Sequence, residues 1–150
     1  GKRLYLFSTG TGFAPFASII RDLETYDKFE KVIVTHTCRT AAELGYSKAI
    51  VEETKKHEYL GELTAGKLVY YDSVTREEYH RVGRITELIK NGRMFGELEV
   101  PEFDPACDRV MVCGSLDVNK DMKLLIESYG LTEGSNAAPA EFVLERAFAG

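Results

Sequence analysis

The sequence lacks several features that define large classes of protein. Its 150 residues include only three cysteines, Cys38, Cys107 and Cys113, and no CxxC pair. An odd number of thiols without this spacing argues against a disulfide framework and against a zinc site. We therefore expect reduced, mostly buried thiols, no metal ion and a cytoplasmic location.

Positive charge and long apolar runs are also scarce. The 19 lysines and arginines are outnumbered by 24 acidic residues, which gives a net charge of −5. A whole-chain basic footprint for nucleic acid is therefore missing, and no apolar run approaches the roughly 20 residues that cross a bilayer. We expect neither nucleic acid nor a membrane as a partner. The start at Gly1 carries no signal peptide, and the missing initiator Met leads us to expect a fragment or a processed piece.

The remaining composition is typical of one globular domain. Hydrophobic residues make up 44% of the chain and charged residues 29%, which excludes disordered and fibrous classes. A domain of this length buries about 68–70% of its unfolded surface, so it does not need disulfides or metal to hold it together.

Short apolar segments alternate with helical patterns along the chain. The predicted strands cover residues 3–8, 31–38, 67–71, 109–113 and 141–147. Of the four predicted helices, the first has an apolar face of Phe16, Ile19, Ile20 and Leu23, and the second runs from the Thr40/Glu43 capping box toward His57. The third covers residues 84–90 and ends at Asn91-Gly92. The fourth has an apolar face of Val118, Met122, Leu125, Ile126 and Tyr129 and ends at Gly130. Residues 72–82 and 132–139 are predicted as loops.

This alternation predicts the fold class. We expect an α/β fold with three layers, in which a doubly wound, five-stranded, mostly parallel sheet of Rossmann-like type carries helices on both faces. The continuous apolarity at the start of 31–38 supports a sheet covered on both faces. In such sheets the ligand lies at the carboxyl ends of the strands, near the point where the strand order reverses.

A glycine turn joins the first strand to the first helix. In Thr9-Gly10-Thr11-Gly12-Phe13-Ala14-Pro15, the glycines permit backbone angles and close approaches that a Cβ would block, and the proline suits a first helical turn. Such a turn directs N–H groups and the positive end of a helix toward one spot, which favours a phosphate. The segment matches neither GxGxxG nor a P-loop, and a turn without a ligand is the alternative.

Arginines follow the second and third strands. Arg39 occupies the position where an acidic residue would hold the ribose 2′-OH of NAD, whereas an arginine accommodates the 2′-phosphate of NADP. We expect Arg84 to face the same cleft. For Arg76 and Arg81, a solvated loop that is salt-bridged to Glu77 and Glu78 is an equal alternative. His36 is interpreted as a satisfied core residue, and no catalytic triad can be assembled.

Five segments, taken in order, resemble a known family. GTGFAP after a strand, THTCRTAAELGYS, TREEYHRVGRIT, VMVCGS and FVLERAFAG are similar to the NADP-binding domain of bacterial ferredoxin (flavodoxin)–NADP⁺ reductases of the plant-type flavoenzyme superfamily. The resemblance covers essentially the whole chain.

The resemblance implies roles for particular residues. The coenzyme pyrophosphate would be held by Thr9, Gly10, Thr11, Gly12, Ala14 and Pro15. Arg39 and Arg84 would clamp the 2′-phosphate, with Arg76 as a helper. Cys113 would lie beside the nicotinamide with Gly114 and Ser115, and Glu145 would poise the nicotinamide and balance protons, so that Cys113 and Glu145 are the implied catalytic residues.

At the end of the chain, Ala147 would cover the flavin ring and Phe148 would belong to a tail that reaches toward FAD. Each of these residues also has a plain structural interpretation. Cys113 could be a packed thiol at a strand end, Glu145 an ordinary carboxylate, and Ala147 and Phe148 ordinary apolar residues of the tail.

The implied function is an oxidoreductase with two cofactors. Hydride would pass between NADP(H) and FAD, and FAD would exchange single electrons with ferredoxin or flavodoxin. Residues 1–150 would be the NADP(H)-binding domain, and the FAD-binding barrel of the same enzyme is absent from the chain, so the chain alone should be inactive. The alternatives are the NAD(P) domain of another flavin reductase, such as one that feeds an oxygenase, and a non-catalytic nucleotide-binding or docking module.

Overall fold

A parallel five-stranded sheet forms the centre of the computed structural model, which describes residues 2–134 and 140–146. All four strand pairings are parallel and the strand order is β3-β2-β1-β4-β5. The strands are β1 (Arg3–Thr9), β2 (Lys31–Cys38), β3 (Leu68–Val74), β4 (Asp108–Gly114) and β5 (Phe142–Arg146). The predicted fold class is confirmed.

Seven helices among the described residues cover the two faces of the sheet. They are α1 (Ala14–Arg21), α2 (Leu23–Lys28), α3 (Gly45–Lys56), α4 (Leu60–Thr64), α5 (Ile85–Lys90), α6 (Arg93–Leu98) and α7 (Leu116–Glu127). Short 3₁₀ turns, Gly10–Phe13 and Ala41–Leu44, lead into α1 and α3. None of the described helices is long and apolar enough to cross a bilayer.

Alternate side chains of β1 enter two separate cores. Tyr5 and Phe7 pack into the cluster that contains Met94 of α6, while Leu4 and Leu6 pack into the cluster that contains Phe16 of α1. Because both faces are covered, the central strands are apolar at consecutive positions rather than at every second one. Burying each such side chain contributes about 1.5–3 kcal/mol to the stability of the fold.

The first helix is shorter than its sequence pattern predicts. The apolar spacing predicts Leu23 on the same face as Phe16, but α1 ends at Arg21 and Leu23 is 52% exposed. Asp22 adopts extended angles, and its carboxylate accepts a hydrogen bond from the N–H of Glu24 at 3.0 Å, which starts α2. This local N-cap breaks the period that the apolar spacing indicated.

The third strand is longer than predicted, since it continues through Asp72 and Ser73 to Val74. These polar residues look like loop in the sequence, but Asp72 and Ser73 are buried and pair with His36 and Thr37 of β2. The expectation of a loop from residue 72 was wrong for three residues, because partners from elsewhere in the chain satisfy the polar groups. The Thr40/Glu43 capping box is present as predicted.

Candidate functional site

A cleft of about 690 Å³ opens at the carboxyl ends of β1, β2, β3 and β4. It lies beside β1, where the strand order reverses, which is the expected ligand position in this class of sheet. Its walls come from four connections and consist of Thr9, Gly10, Thr11, Thr37, Cys38, Arg39, Glu43, Thr75, Arg76, Arg84, Ile85, Thr86, Ser115, Asp117, Val118 and Asp121.

The glycine turn after β1 forms one wall of this cleft. Gly10 has a φ of +52°, in the left-handed region that glycine adopts without strain. Gly12 is buried, and a Cβ there would lie 2.0 Å from the carbonyl oxygen of Cys113. The turn is therefore pressed against the end of β4. Pro15 lies in the first turn of α1.

Three arginines form the opposite wall. Arg39, Arg76 and Arg84 are exposed and line the cleft. The backbone N–H of Arg76 donates to the carbonyl of Arg39 at 2.9 Å, which brings the loop after β3 against the end of β2. In the part of the chain that the structure describes, none of the three guanidinium groups forms a salt bridge. The three guanidinium groups therefore lie in the cleft without a direct carboxylate partner, although Glu43, Asp117 and Asp121 line the same cleft.

Arg81 behaves differently, although it lies in the same loop. Its guanidinium carbon lies 3.7 Å from the centroid of the Tyr71 ring, and its nitrogens lie 3.3 Å from carboxylate oxygens of both Asp72 and Glu97. Arg81 is therefore a salt-bridged loop residue, but its partners are Asp72 and Glu97 rather than Glu77 and Glu78, and its side chain is only 15% exposed. Arg76 is exposed and lines the cleft, and it forms no salt bridge with the described residues.

Asp72 holds the arginine-bearing loop against β3. Its buried carboxylate accepts hydrogen bonds from the Tyr79 hydroxyl, from Nε2 of His80 at 2.9 Å and from Arg81, and Nζ of Lys48 lies 3.5 Å away. Burial alone would raise the pKa of Asp72, but the hydrogen bonds from Tyr79 and His80 and the charges of His80 and Lys48 outweigh it and lower the pKa. The carboxylate therefore stays ionised.

The ends of β4 and β5 lie next to the cleft. Cys113 and Glu145 are register partners on these strands; the thiol is buried and the carboxylate is exposed. Burial raises the pKa of the Cys113 thiol, and the nearby charge of Glu145 raises it further. A Cβ on Gly114 would lie 2.7 Å from Oγ1 of Thr9. The oxygen of Ser115 accepts from the N–H of Val118 at 3.3 Å and caps α7.

The structure places seven of the fifteen predicted site residues in the cleft wall. Thr9, Gly10, Thr11, Arg39, Arg76, Arg84 and Ser115 share the cleft wall. Within the described residues, the wall does not include Gly12, Ala14, Pro15, Cys113, Gly114 or Glu145, which lie on the same turn or on adjacent strand ends. Ala147 and Phe148 lie outside the described residues.

Sequence reasoning missed the polar residues that complete the wall, namely Thr37, Glu43, Thr75, Thr86, Asp117 and Asp121. Thr37 lies near the end of β2, Thr75 directly follows β3, and Asp117 follows Ser115 by two positions. For these three the signal in the sequence is position, since a polar residue at or just after the end of a parallel strand lies at the ligand edge of the sheet. Glu43, Thr86 and Asp121 lie within helical segments and have no such signal.

Comparison with known proteins assigns the family. The family model described as "Oxidoreductase NAD-binding domain" matches residues 6–123. The chain belongs to this family. The match covers β1 to most of α7 and therefore contains every residue of the cleft wall.

Two curated relatives are similar along the whole chain. The "Flavodoxin/ferredoxin--NADP reductase" of Rhodobacter capsulatus is 51% identical over 150 residues, which are 100% of this chain and 56% of the relative. The "Ferredoxin--NADP reductase A" of Sorangium cellulosum (strain So ce56) is 47% identical over 150 residues and is covered to 54%. The chain spans about half the length of the curated relatives it matches, and their similarity confirms the resemblance drawn from the motifs.

A solved structure shares the fold closely. The chain matches a ferredoxin NADP⁺ reductase from Neisseria gonorrhoeae, determined with bound FAD and NADP, with a TM-score of 0.83 and 25% identity. The match covers 99% of this chain and 57% of that protein.

Proposed function

We propose that this chain is the NADP(H)-binding half of a cytoplasmic ferredoxin (flavodoxin)–NADP⁺ reductase. Its partners would be ferredoxin or flavodoxin and the FAD-binding domain of the same enzyme. One observation carries the proposal: three arginines that form no salt bridge with any described residue and the Thr9–Thr11 turn line one cleft at the carboxyl edge of the sheet. The similarity to two named reductases supports the same function.

The cleft fits a dinucleotide that carries an additional phosphate. Its volume of about 690 Å³ is within the roughly 300–1,000 Å³ of ligand pockets. The first acidic residue along the chain after β2 is Glu43, and its Oε1 accepts a hydrogen bond from the backbone N–H of Thr40 at 3.1 Å. A carboxylate that is occupied as a helix cap is poorly placed to hold a ribose 2′-OH, and the guanidinium of Arg39, directly after β2, suits a 2′-phosphate.

Each part of the wall has a separate task in this proposal. Arg39 and Arg84, helped by Arg76, clamp the 2′-phosphate with charge-assisted hydrogen bonds. The turn from Thr9 through Gly12, continued by Ala14 and Pro15, holds the pyrophosphate at the amino end of α1, where the helix dipole favours negative charge.

The ends of β4 and β5 serve the reacting ring. Cys113, kept as a neutral thiol by burial, packs beside the nicotinamide with Gly114 and Ser115, and exposed Glu145 poises the ring and balances protons. When bound, NADPH supplies a hydride and FAD accepts it, and this chain contributes orientation and charge. Ala147 and Phe148 would lie on the flavin side, and the FAD-binding domain would hold most of FAD.

Arginine substitution tests coenzyme choice. Arg39→Ala is expected to weaken NADP⁺ binding by about 1.5–3 kcal/mol, the contribution of a hydrogen bond to a charged group, and to leave NAD⁺ binding nearly unchanged. Titration calorimetry on the 150-residue chain measures both affinities. Arg21→Ala, an exposed residue at the end of α1 outside the cleft wall, is the control. Equal losses for the two coenzymes would refute the 2′-phosphate role.

Joining the chain to a flavin-binding barrel tests catalysis. We expect NADPH-driven reduction of a dye by the two-domain protein and none by the chain alone. No turnover by the joined protein would favour a non-catalytic module. Turnover without electron transfer to ferredoxin or flavodoxin would favour a reductase of the oxygenase type.

A further inference from the structure

His36 contacts the glycine turn from inside the protein. It lies on β2 and is 2% exposed, and its Nε2 lies 2.7 Å from the carbonyl oxygen of Gly10. Its Nδ1 lies 2.6 Å from Oγ of Ser47 on α3. The Phe13 ring stacks on the imidazole with a centroid distance of 5.6 Å. The ring is therefore held in place by the turn, by a helix and by its own strand.

These partners determine where the imidazole carries its hydrogen. A carbonyl oxygen only accepts, so Nε2 must be the donor to Gly10. Burial lowers the pKa of His36, and in the neutral ring Nδ1 then accepts from the Ser47 hydroxyl. Oγ of Ser47 lies 2.6 Å from the Tyr70 hydroxyl on β3, which can donate in turn. A chain of hydrogen bonds thus runs from β3 through α3 and β2 to the turn.

The bond to Gly10 sets the orientation of one peptide unit. In a trans peptide the carbonyl and the following N–H point in opposite directions. With the Gly10 oxygen directed to the buried imidazole, the carbonyl of the Gly10–Thr11 unit points into the protein, and the N–H of this unit points away from the imidazole. Gly10 has a positive φ, which glycine adopts without strain, and it begins the 3₁₀ turn Gly10–Phe13.

We propose that His36 is a positioning residue for the phosphate-binding turn: its Nε2–H tethers the Gly10 carbonyl inward, so that the turn does not present a carbonyl oxygen to the coenzyme phosphates. This role rests on the proposed function. It differs from a purely structural role because it concerns only the phosphates at the turn and not the 2′-phosphate at the arginines.

Nucleotides with and without a 5′-phosphate separate the two phosphate positions. 2′-AMP carries only the phosphate proposed for the arginines, whereas 2′,5′-ADP adds one at the turn. In calorimetry on the 150-residue chain, His36→Leu should lower the affinity for 2′,5′-ADP about tenfold, which is the scale of one lost hydrogen bond. The affinity for 2′-AMP should stay within about twofold of the wild-type value. His36→Gln, whose amide N–H can replace Nε2–H, should keep most of the affinity for 2′,5′-ADP.

Thr35→Val is the matched control, since Thr35 is a buried polar neighbour on the same strand. It should change neither affinity. If His36→Leu lowered the affinity for both nucleotides equally, His36 would have a structural role. This result would overturn the proposal for His36 but not the proposed function. Failure of the wild-type chain to bind either nucleotide would overturn the proposed function as well.

A spectroscopic measurement decides the question if His36→Leu does not fold. Nitrogen NMR of the wild-type imidazole should show hydrogen on Nε2 and none on Nδ1, with and without 2′,5′-ADP. Hydrogen on Nδ1 alone would remove the donor to Gly10 and overturn the proposal.

Discussion

Arg81 and Arg84 are three positions apart, yet their guanidinium groups have different chemical surroundings. Arg81 donates to the backbone carbonyl of Asp72 at 2.7 Å and stacks on Tyr71, so it stabilises the fold. Arg84 is the N-cap of α5 and is exposed in the cleft, while Ile85 beside it is buried. The apolar anchor directs the neighbouring cation outward. Burial of one residue thus positions the charge of the next.

Gly12 is a second position where a single added atom, a Cβ, would disturb the structure. A Cβ there would meet the backbone oxygen of Cys113 at 2.0 Å and its carbon at 2.8 Å, and neither atom can move aside without shifting β4. We expect Gly12→Ala to lower the free energy of unfolding by about 1–3 kcal/mol. Because the substitution displaces the turn, we also expect it to lower the affinity for NADP⁺. Urea unfolding and calorimetry measure the two effects.

Gly45→Ala is the matched control for this substitution. Gly45 has an ordinary helical φ of −55° and open space where a Cβ would stand. Alanine there should stabilise the chain by about 0.4–1 kcal/mol through the unfolded state. Gly12→Ala with full stability and full affinity would show that the turn does not depend on its contact with β4.

At the scale of elements, the loop between β3 and α5 depends on Asp72. The loop returns along β3 through backbone bonds of Val74 with Arg81 and Gly83, and its side chains converge on the Asp72 carboxylate. Arg76 is part of this loop and Arg84 follows it directly. The Asp72 carboxylate therefore also determines where these two candidate coenzyme-binding residues lie.

Asp72→Asn is therefore expected to reduce stability in a pH-dependent way. The folded state lowers the pKa of Asp72, so its contribution is present above the unfolded pKa of about 3.9 and is lost as the pH falls through the lower folded pKa. At pH 7 the substitution should cost about 3 kcal/mol. In urea unfolding between pH 7 and pH 3, the difference in the free energy of unfolding between Asp72→Asn and wild type should become smaller toward pH 3.

Asp27→Asn provides the comparison for Asp72, since Asp27 is an exposed aspartate on α2. Asp27→Asn should change the free energy of unfolding by no more than about 0.5 kcal/mol at every pH. A difference between Asp72→Asn and wild type that stays constant down to pH 3 would contradict the assignment of an ionised, hydrogen-bonded Asp72.

At the scale of the whole molecule, the sheet brings distant segments to one edge. Cys113 and Glu145 become neighbours only through the pairing of β4 with β5, and Nδ2 of Asn119 on α7 donates to the Glu145 carbonyl at 2.7 Å. The proposed reaction requires this edge to face a flavin, so tests of Glu145 belong in the two-domain protein.

In that protein, Glu145→Ala should slow flavin reduction by NADPH on the order of 10²-fold, as expected for a residue that takes part in proton balance. NADP⁺ affinity should change much less. Stopped-flow single turnovers and calorimetry separate the two effects, and Glu127→Ala, an exposed glutamate on α7, serves as the control. An unchanged single-turnover rate would remove Glu145 from the mechanism.

Local patterns in the sequence are sufficient to predict most strands and the family. Residues 31–38 are β2 as predicted, and the Thr40/Glu43 capping box forms. The glycine turn, Arg39 and the closing motifs indicate a nicotinamide-coenzyme fold from the sequence. Such features depend on neighbours within a few positions, where backbone angles, capping and periodicity act.

The hydrogen-bond partners of the polar residues depend on contacts between distant segments of the chain. The burial of Asp72, the contact of His36 with Gly10 and the separation of Arg81 from Arg76 all join groups that lie on different elements. The short helices α4 and α6 show too few turns for a period to be read. A charged or polar side chain is equally compatible with solvent and with a buried partner, and only folding brings that partner within hydrogen-bond distance.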